Sequence, residues 1–230
     1  MNVFIIGYWF LNDADVSATK WTPPPSLLQF IENAHKKNIK VVYIGFGSIV
    51  VQDPKAMTQC IVESVLRSGV HAILSKGWSD RLQAKANEVV EQEEPLPPQI
   101  YPVSSIPHDW LFQRIDAACH HGGAGTTGAS LRGILIYYLR LWHSLLTSLS
   151  LAGIPTIIHP FFGDQFFWAD RVEALGIGAS VRKLTVSNLS EALIAATTDY
   201  KQLDRAKNIG EQIRGVSLLK ISSLLYSLCT

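Results

Sequence analysis

A chain of 230 residues with 47% apolar and 17% charged content is long and apolar enough for one large domain or two small ones, which excludes a disordered chain. Basic and acidic residues nearly cancel, 20 against 19, so no global field draws nucleic acid or a membrane surface. Cys60, Cys119 and Cys229 are odd in number and far apart, giving neither a disulfide framework nor a zinc pattern and suiting a reducing compartment. The apolar start, Met1 to Phe10, has no basic flank or small-residue cleavage site and does not read as a signal peptide.

Val3 to Gly7 is a short strand or linker piece, and Asn12 to Pro25 is a polar, proline-rich loop. Ser26 is placed to cap a helix whose apolar face is Leu27, Phe30, Ile31 and Ala34. Val41 to Ile44 reads as a buried strand that turns at Gly45-Phe46-Gly47-Ser48. Asp53-Pro54 opens a helix with Met57, Ile61, Val65 and Leu66 on one face, stopped by Gly69. Val70 to Leu74 is a strand, Asp80 to Glu94 a charged helix and solvated loop, and Ile100 to Val103 another strand. Pro107-His108-Asp109 starts a helical turn, and Ile115 to Cys119 is the next strand. After Gly153-Ile154-Pro155, Thr156 to Ile158 is a strand. Asp164 begins a helix that Gly176 stops. Ala179 to Val181 is a small strand, Ser187 starts a helix containing Leu189, Leu193 and Ile194, and a last helix follows Asp199. Strands alternating with helices predict an α/β fold, a parallel sheet covered on both faces, with ligands beyond the strand C-termini.

Both glycine turns fall at such ends. The run from His120 to Ser130 is the denser, and a strand that ends in glycines and enters a helix presents free N–H groups and the positive end of the helix dipole to an anion. There His121 could donate to a phosphate oxygen, with the N–H groups of Gly122, Gly123, Ala124, Gly125, Thr126 and Thr127 and the hydroxyls of both threonines. A turn shaped by packing alone is the alternative, since neither a P-loop lysine nor a clean GxGxxG is present. His120 and His121 do not read as a metal pair, because adjacent strand residues point to opposite faces. Ser48 either reaches a second phosphate oxygen or bonds its own backbone. Asp164 and Gln165 either hold sugar hydroxyls or, for Asp164, cap the helix. Phe161, Phe162, Phe166, Phe167 and Trp168 are expected mostly in the core, and His108 and Trp110 as packing residues. The span from Gly133 to Leu151 is nearly all apolar but carries Arg140 and His143, which argues against a membrane-spanning helix and leaves an interfacial or partner-binding helix, or an ill-fitting insert.

Tyr43 to Ser48, Ser105 to Trp110, His120 to Thr127 and Pro160 to Gln165 stand in the order found in UDP-glycosyltransferases of the two-Rossmann-domain (GT-B) kind. The run from Phe161 to Val172 most resembles the fungal sterol 3-beta-glucosyltransferases. The resemblance implies a Rossmann-like parallel sheet with flanking helices, the C-terminal donor-binding domain. It implies that His121 and the glycine turn contact the pyrophosphate of UDP-glucose, Ser48 a phosphate, and Asp164 and Gln165 the glucose. The loop Ser105-Ile106-Pro107-His108 would hold the uracil, with Ser105 where plant relatives often stack a tryptophan. The implied reaction is inverting, metal-free transfer of glucose to a sterol 3-hydroxyl, with no other cofactor.

The family's catalytic histidine belongs to an N-terminal acceptor domain that this chain does not match, so no catalytic residue is assigned. The chain is expected to be a donor-site piece that binds UDP-glucose without transferring it, the sterol being held elsewhere. Residues 1–25 would be a linker from the acceptor side and 26–230 the donor domain, with 133–151 as an insert that relatives lack. A rival reading is a non-catalytic donor-binding subunit that completes an enzyme with a separate membrane-bound acceptor chain, docking through 133–151. The expected location is cytoplasmic with peripheral membrane attachment, and no nucleic acid is expected.

Overall fold

The computed structural model describes residues 21–77, 95–132 and 153–215. The expectations for 3–7, 80–94, the 133–151 insert, the linker ahead of Trp21 and the chain after 215 lie outside them. In chain order the described elements are α1 (Pro25–Lys36), β1 (Val41–Gly45), α2 (Pro54–Ser68), β2 (His71–Ser75), β3 (Ile100–Val103), α3 (His108–Leu111), β4 (Ala117–His120), α4 (Ala124–Arg132), β5 (Thr156–Ile158), α5 (Gln165–Ala174), β6 (Gly178–Ser180), α6 (Val186–Thr198) and α7 (Tyr200–Gly215).

The strands form one six-stranded sheet in the order β3-β2-β1-β4-β5-β6, and every neighbouring pair is parallel. The order reverses between β1 and β4. In such sheets the crevice outside the strand C-termini at that reversal is the place where ligands bind. The register sets Gly45 beside His120, so the two glycine turns leave the sheet side by side.

Alternation along the strands sorts the core into two layers. Val42, Ile44, Leu74 and Cys119 face one way and pack with Met57, Ile61 and Val65 of α2 and Leu189 and Leu193 of α6. Val41, Tyr43, Ile73 and Ala118 face the other way and pack with Leu27, Ile31 and Ala34 of α1, joined by Leu111, Phe112 and Ile154. A third cluster, with Leu131, Ile158, Val172 and Ala206, closes the β5 side. Each buried Ile or Leu of this kind contributes about 2–3 kcal/mol of apolar transfer free energy.

Several helix ends differ from expectation. Ser26 does not cap α1: the helix opens at Pro25, with no side-chain cap. The Ser26 hydroxyl instead pairs with the Tyr101 hydroxyl at 2.7 Å. Asp53 caps α2 by accepting from the Ala56 N–H at 2.9 Å, and Gly69 ends it with φ 71°. The helix α6 starts at Val186, one residue before Ser187, and Thr185 caps it, accepting from the Asn188 N–H at 3.2 Å. Leu66 and Ile194 are exposed, not buried. Nine residues from Met57, Leu66 has turned about 180° around its helix, and five from Leu189, Ile194 has turned about 140°.

The aromatic residues after Pro160 are the largest correction. Phe162, Phe166 and Phe167 are exposed by 61%, 37% and 50%. Only Phe161 and Trp168 pack against core clusters. The buried face of α5 is carried by Gln165, Ala169 and Val172, four and three residues apart, so Phe166 and Phe167 between them are turned outward.

Candidate active site at the sheet switch point

His120, the last residue of β4, is fully buried, and it shapes the glycine turn. Its Nδ1 accepts the Gly122 N–H at 3.0 Å, which requires an unprotonated Nδ1 and puts the ring proton on Nε2. Nε2 then donates to the Ser130 hydroxyl at 3.4 Å. Ser130 also donates to the Thr127 carbonyl at 3.0 Å and accepts from the Thr156 hydroxyl at 2.9 Å. This buried network ties the strand end, α4 and β5 together. Burial, with His121 and His108 nearby, pulls the His120 pKa down to about 3, so the ring is neutral.

Gly122 has φ 86°, in the region that L side chains rarely adopt, and a Cβ there would stand 2.7 Å from Ile158 Cγ2. The imidazole of His121 lies between the two turns. A Cβ added to Gly123 would stand 2.4 Å from its Nε2, and one added to Gly47 would stand 3.4 Å from its Cε1. The His121 Nδ1 is buried and has no hydrogen-bond partner. Burial lowers the pKa of this ring, while the Asp164 carboxylate pulls it back up. A neutral imidazole carries one donor and one acceptor, and a buried unpaired ring nitrogen is the kind of group a ligand satisfies.

The N–H groups of Ala124, Gly125 and Thr126 precede the first helical bond of α4, from the Thr127 N–H to the Gly123 carbonyl at 2.9 Å. They form the open end of a helix whose positive dipole faces the turn. Thr127 does not share this role. It is fully buried, and its hydroxyl donates to the Gly123 carbonyl at 3.0 Å, because a threonine one turn into a helix reaches the carbonyl four residues back. Ser48 is exposed on the neighbouring turn.

Asp164 and Gln165 part company. Asp164 sits at the N-cap position of α5 without making a side-chain cap. Its Oδ2 accepts the indole N–H of Trp168 at 3.2 Å. Gln165 is buried, and its Oε1 accepts the N–H groups of Phe161 at 2.7 Å and Phe162 at 3.2 Å. The amide oxygen therefore holds the loop before α5 and is not placed for a sugar hydroxyl.

The Ser105–His108 stretch leads into α3. Ser105 is exposed, whereas the Ile106 side chain is buried in the core, leaving only its backbone for a ligand. His108, which the resemblance sets in the uracil loop and the residue pattern alone reads as packing, is engaged in packing. Its ring stacks on Phe112 with centroids 4.9 Å apart and planes 5° apart, and its Nε2 lies 3.3 Å from the Tyr43 hydroxyl. Burial and His121 hold its pKa below the ordinary histidine value. Trp110 packs edge-on to Trp21 at 5.0 Å, under the Arg114 guanidinium. Sequence reasoning missed the structural work of His120, Tyr43 and Trp168. Only the pairing of a strand-end histidine with an N–H two residues on offers a signal for the first.

A cavity of about 790 Å³ lies at the opposite edge of the sheet, around Lys40, Asp116 and Gly153. These residues precede β1, β4 and β5. Asp116 is engaged there in holding Lys40 at 2.8 Å and the Val41 N–H at 2.9 Å. Among the described residues no group of His, Cys, Asp and Glu could hold a metal ion, and no helix is long and apolar enough to cross a membrane.

Solved glycosyltransferases share this architecture. The kitacinnamycin glycotransferase superposes with a TM-score of 0.63 at 18% identity, over 96% of this chain and 48% of that one. SnogD from Streptomyces nogalater superposes with a TM-score of 0.55 at 19% identity, over 82% and 44%. No family model matches the sequence. The fold is that of a Rossmann-like domain of GT-B glycosyltransferases.

The sequence carries the assignment further. A sterol 3-beta-glucosyltransferase of Cryptococcus neoformans var. neoformans serotype D is 55% identical over 218 residues, 92% of this chain. Those of Aspergillus terreus and Penicillium rubens are 52% and 53% identical over 210 residues. Over about nine-tenths of its own length the chain is thus similar to fungal sterol 3-beta-glucosyltransferases. It spans 13% of the length of the Cryptococcus relative.

Proposed function

We propose that this chain supplies the donor site of a sterol 3-beta-glucosyltransferase and binds UDP-glucose at the C-terminal edge of β1 and β4. The reading rests above all on His121, whose buried Nδ1 has no partner and whose ring is held between two glycine turns beside the open end of α4. In this reading His121 and the N–H groups of Ala124, Gly125 and Thr126 take the pyrophosphate, Ser48 takes a second phosphate oxygen, and Asp164 takes glucose hydroxyls. Ser105 and the Ile106 backbone lie where the uracil would be held.

These groups act on the leaving side of the reaction. When the acceptor hydroxyl attacks the anomeric carbon and that carbon's bond to the phosphate oxygen breaks, negative charge builds on the departing UDP. Fixed N–H donors and a helix dipole aimed at that charge stabilise the transition state without metal or solvent reorganisation. The proton of the sterol hydroxyl goes to a base that none of these residues provides. The chain by itself is therefore expected to bind the donor and not to transfer glucose.

Titration calorimetry of the full chain tests this with UDP and UDP-glucose, alongside His121→Ala. Binding of both ligands, weakened about tenfold or more by the substitution, is expected from loss of a hydrogen bond to a charged group. Absence of UDP binding, or binding indifferent to His121, would overturn the proposal.

A further inference from the structure

Asp164 stands where a helix cap belongs and does not cap. Its backbone is already helical, with φ −71° and ψ −10°. An N-cap residue normally has extended backbone angles that let its side chain fold back onto the N–H groups of the first turn. Here the carboxylate leaves those groups, and Oδ2 accepts the Trp168 indole N–H at 3.2 Å. Trp168 is one helical turn further on, on the same face as Asp164, and its own ring is fixed. It packs against the cluster of Ile158, Ala169 and Val172 and meets Phe167 edge-on with centroids 5.2 Å apart.

The two oxygens of Asp164 are thus set different tasks. One is turned toward a donor on a packed indole, and the direction of the other follows from it. Asp164 also stands next to the glycine turn, since a Cβ on Gly122 would lie 3.2 Å from the carbonyl oxygen and 3.4 Å from the Cα of the following residue, Gln165, and its charge opposes the effect of burial on the His121 ring. A freely rotating aspartate would lose rotamer entropy on meeting a sugar, whereas one already held loses less.

We infer that Trp168 is a positioning residue for the donor sugar, its indole N–H fixing Asp164 so that the second carboxylate oxygen meets hydroxyls of the hexose. The inference rests on the donor-site reading above and adds to it that sugar recognition runs through Trp168. Trp168 itself does not touch the sugar. Its effect belongs to the affinity difference between UDP-sugar and UDP, and not to UDP alone.

The test is a double-mutant cycle on the full chain, with UDP and UDP-glucose titrated into the unaltered protein, Trp168→Phe, Asp164→Ala and the double variant. Trp168→Phe keeps an aromatic ring and removes the N–H. It is expected to reduce the UDP-glucose preference over UDP by about three- to tenfold, the scale of one hydrogen bond, with UDP affinity unchanged. In the Asp164→Ala background it is expected to do nothing further. Equal losses for UDP and UDP-glucose, or full additivity with Asp164→Ala, would overturn the positioning role while leaving the donor site standing. Failure of the unaltered protein to bind UDP would overturn the donor site and the inference together. Should Trp168→Phe fail to fold, the indole N–H resonance of Trp168 in the unaltered protein decides the same question. It is expected to move with UDP-glucose and not with UDP, and a resonance indifferent to the sugar would overturn the role.

Discussion

Gly123→Ala is a displacement of His121 by a known amount. Gly123 does not have positive φ, so alanine adds no backbone strain there and the perturbation is steric. The new Cβ would stand 2.4 Å from His121 Nε2, where ordinary contact begins near 3.4 Å, so the ring must retreat by about 1 Å. On the side of Gly47 no side chain stands in its way. The cost to the fold is therefore small, within about 1 kcal/mol. The cost to a ligand is larger. A donor moved from about 2.9 Å to about 3.9 Å no longer makes a hydrogen bond, and one to a charged phosphate contributes roughly 1.5–3 kcal/mol, or about ten- to a hundredfold in affinity. Calorimetry with UDP, paired with thermal melts, separates the two effects. Gly125→Ala is the stability control, since its Cβ would meet nothing within 4 Å. His121→Ala with Gly123→Ala should bind no more weakly than His121→Ala alone. Additive losses would refute the wedge, because the glycine would then be acting on the ligand directly.

Acid stability should follow His120. With its pKa at about 3 against an ordinary 6.5, the unfolded chain takes the proton first as pH falls. This contribution is intact above pH 6.5 and is lost between about 6.5 and 3, by up to about 1.4 kcal/mol per pH unit. His120→Asn retains an acceptor for the Gly122 N–H and cannot titrate, so denaturant melts should show a shallower acid limb. An unchanged limb would assign the acid sensitivity to other groups. Leu193→Ala, at a fully buried position between α6 and the sheet, should cost about 2–5 kcal/mol in urea melts. Asp53→Ala should cost about 1 kcal/mol through loss of the α2 cap, and a neutral outcome would show that Pro54 alone sets that helix start.

The parallel α/β reading was legible because β1, β2 and β4 are short buried runs broken by glycines, and a run buried on both faces needs no alternation to be recognised. Gly69 and Gly176 ended their helices as expected for the same local reason: each takes positive φ. The placement of both glycine turns at strand C-termini followed from sequence order alone. What was not legible is where side chains of mixed character point. The Gln165 amide oxygen and the Thr127 hydroxyl are both able to meet a ligand, and both are spent on backbone. Each of these bonds spans only three or four residues, so the local backbone path of the turn and the loop selects it. The aromatics of α5 misled because hydrophobicity predicts burial, whereas the buried positions at 165, 169 and 172 leave Phe166 and Phe167 on the outer arc. His120 shows the converse, a polar residue at a strand end that became the centre of a buried network through Ser130 and Thr156, which the sequence sets far from it.

Amide spectra of the full chain, recorded as UDP-glucose is added, test the location of the donor site most directly. The account predicts saturable shifts at Ala124, Gly125 and Thr126, with His121 ring signals moving in step and Gly47 and Asp164 following. Shifts gathered instead around Lys40, Asp116 and Gly153, at the other edge of the sheet, would contradict it.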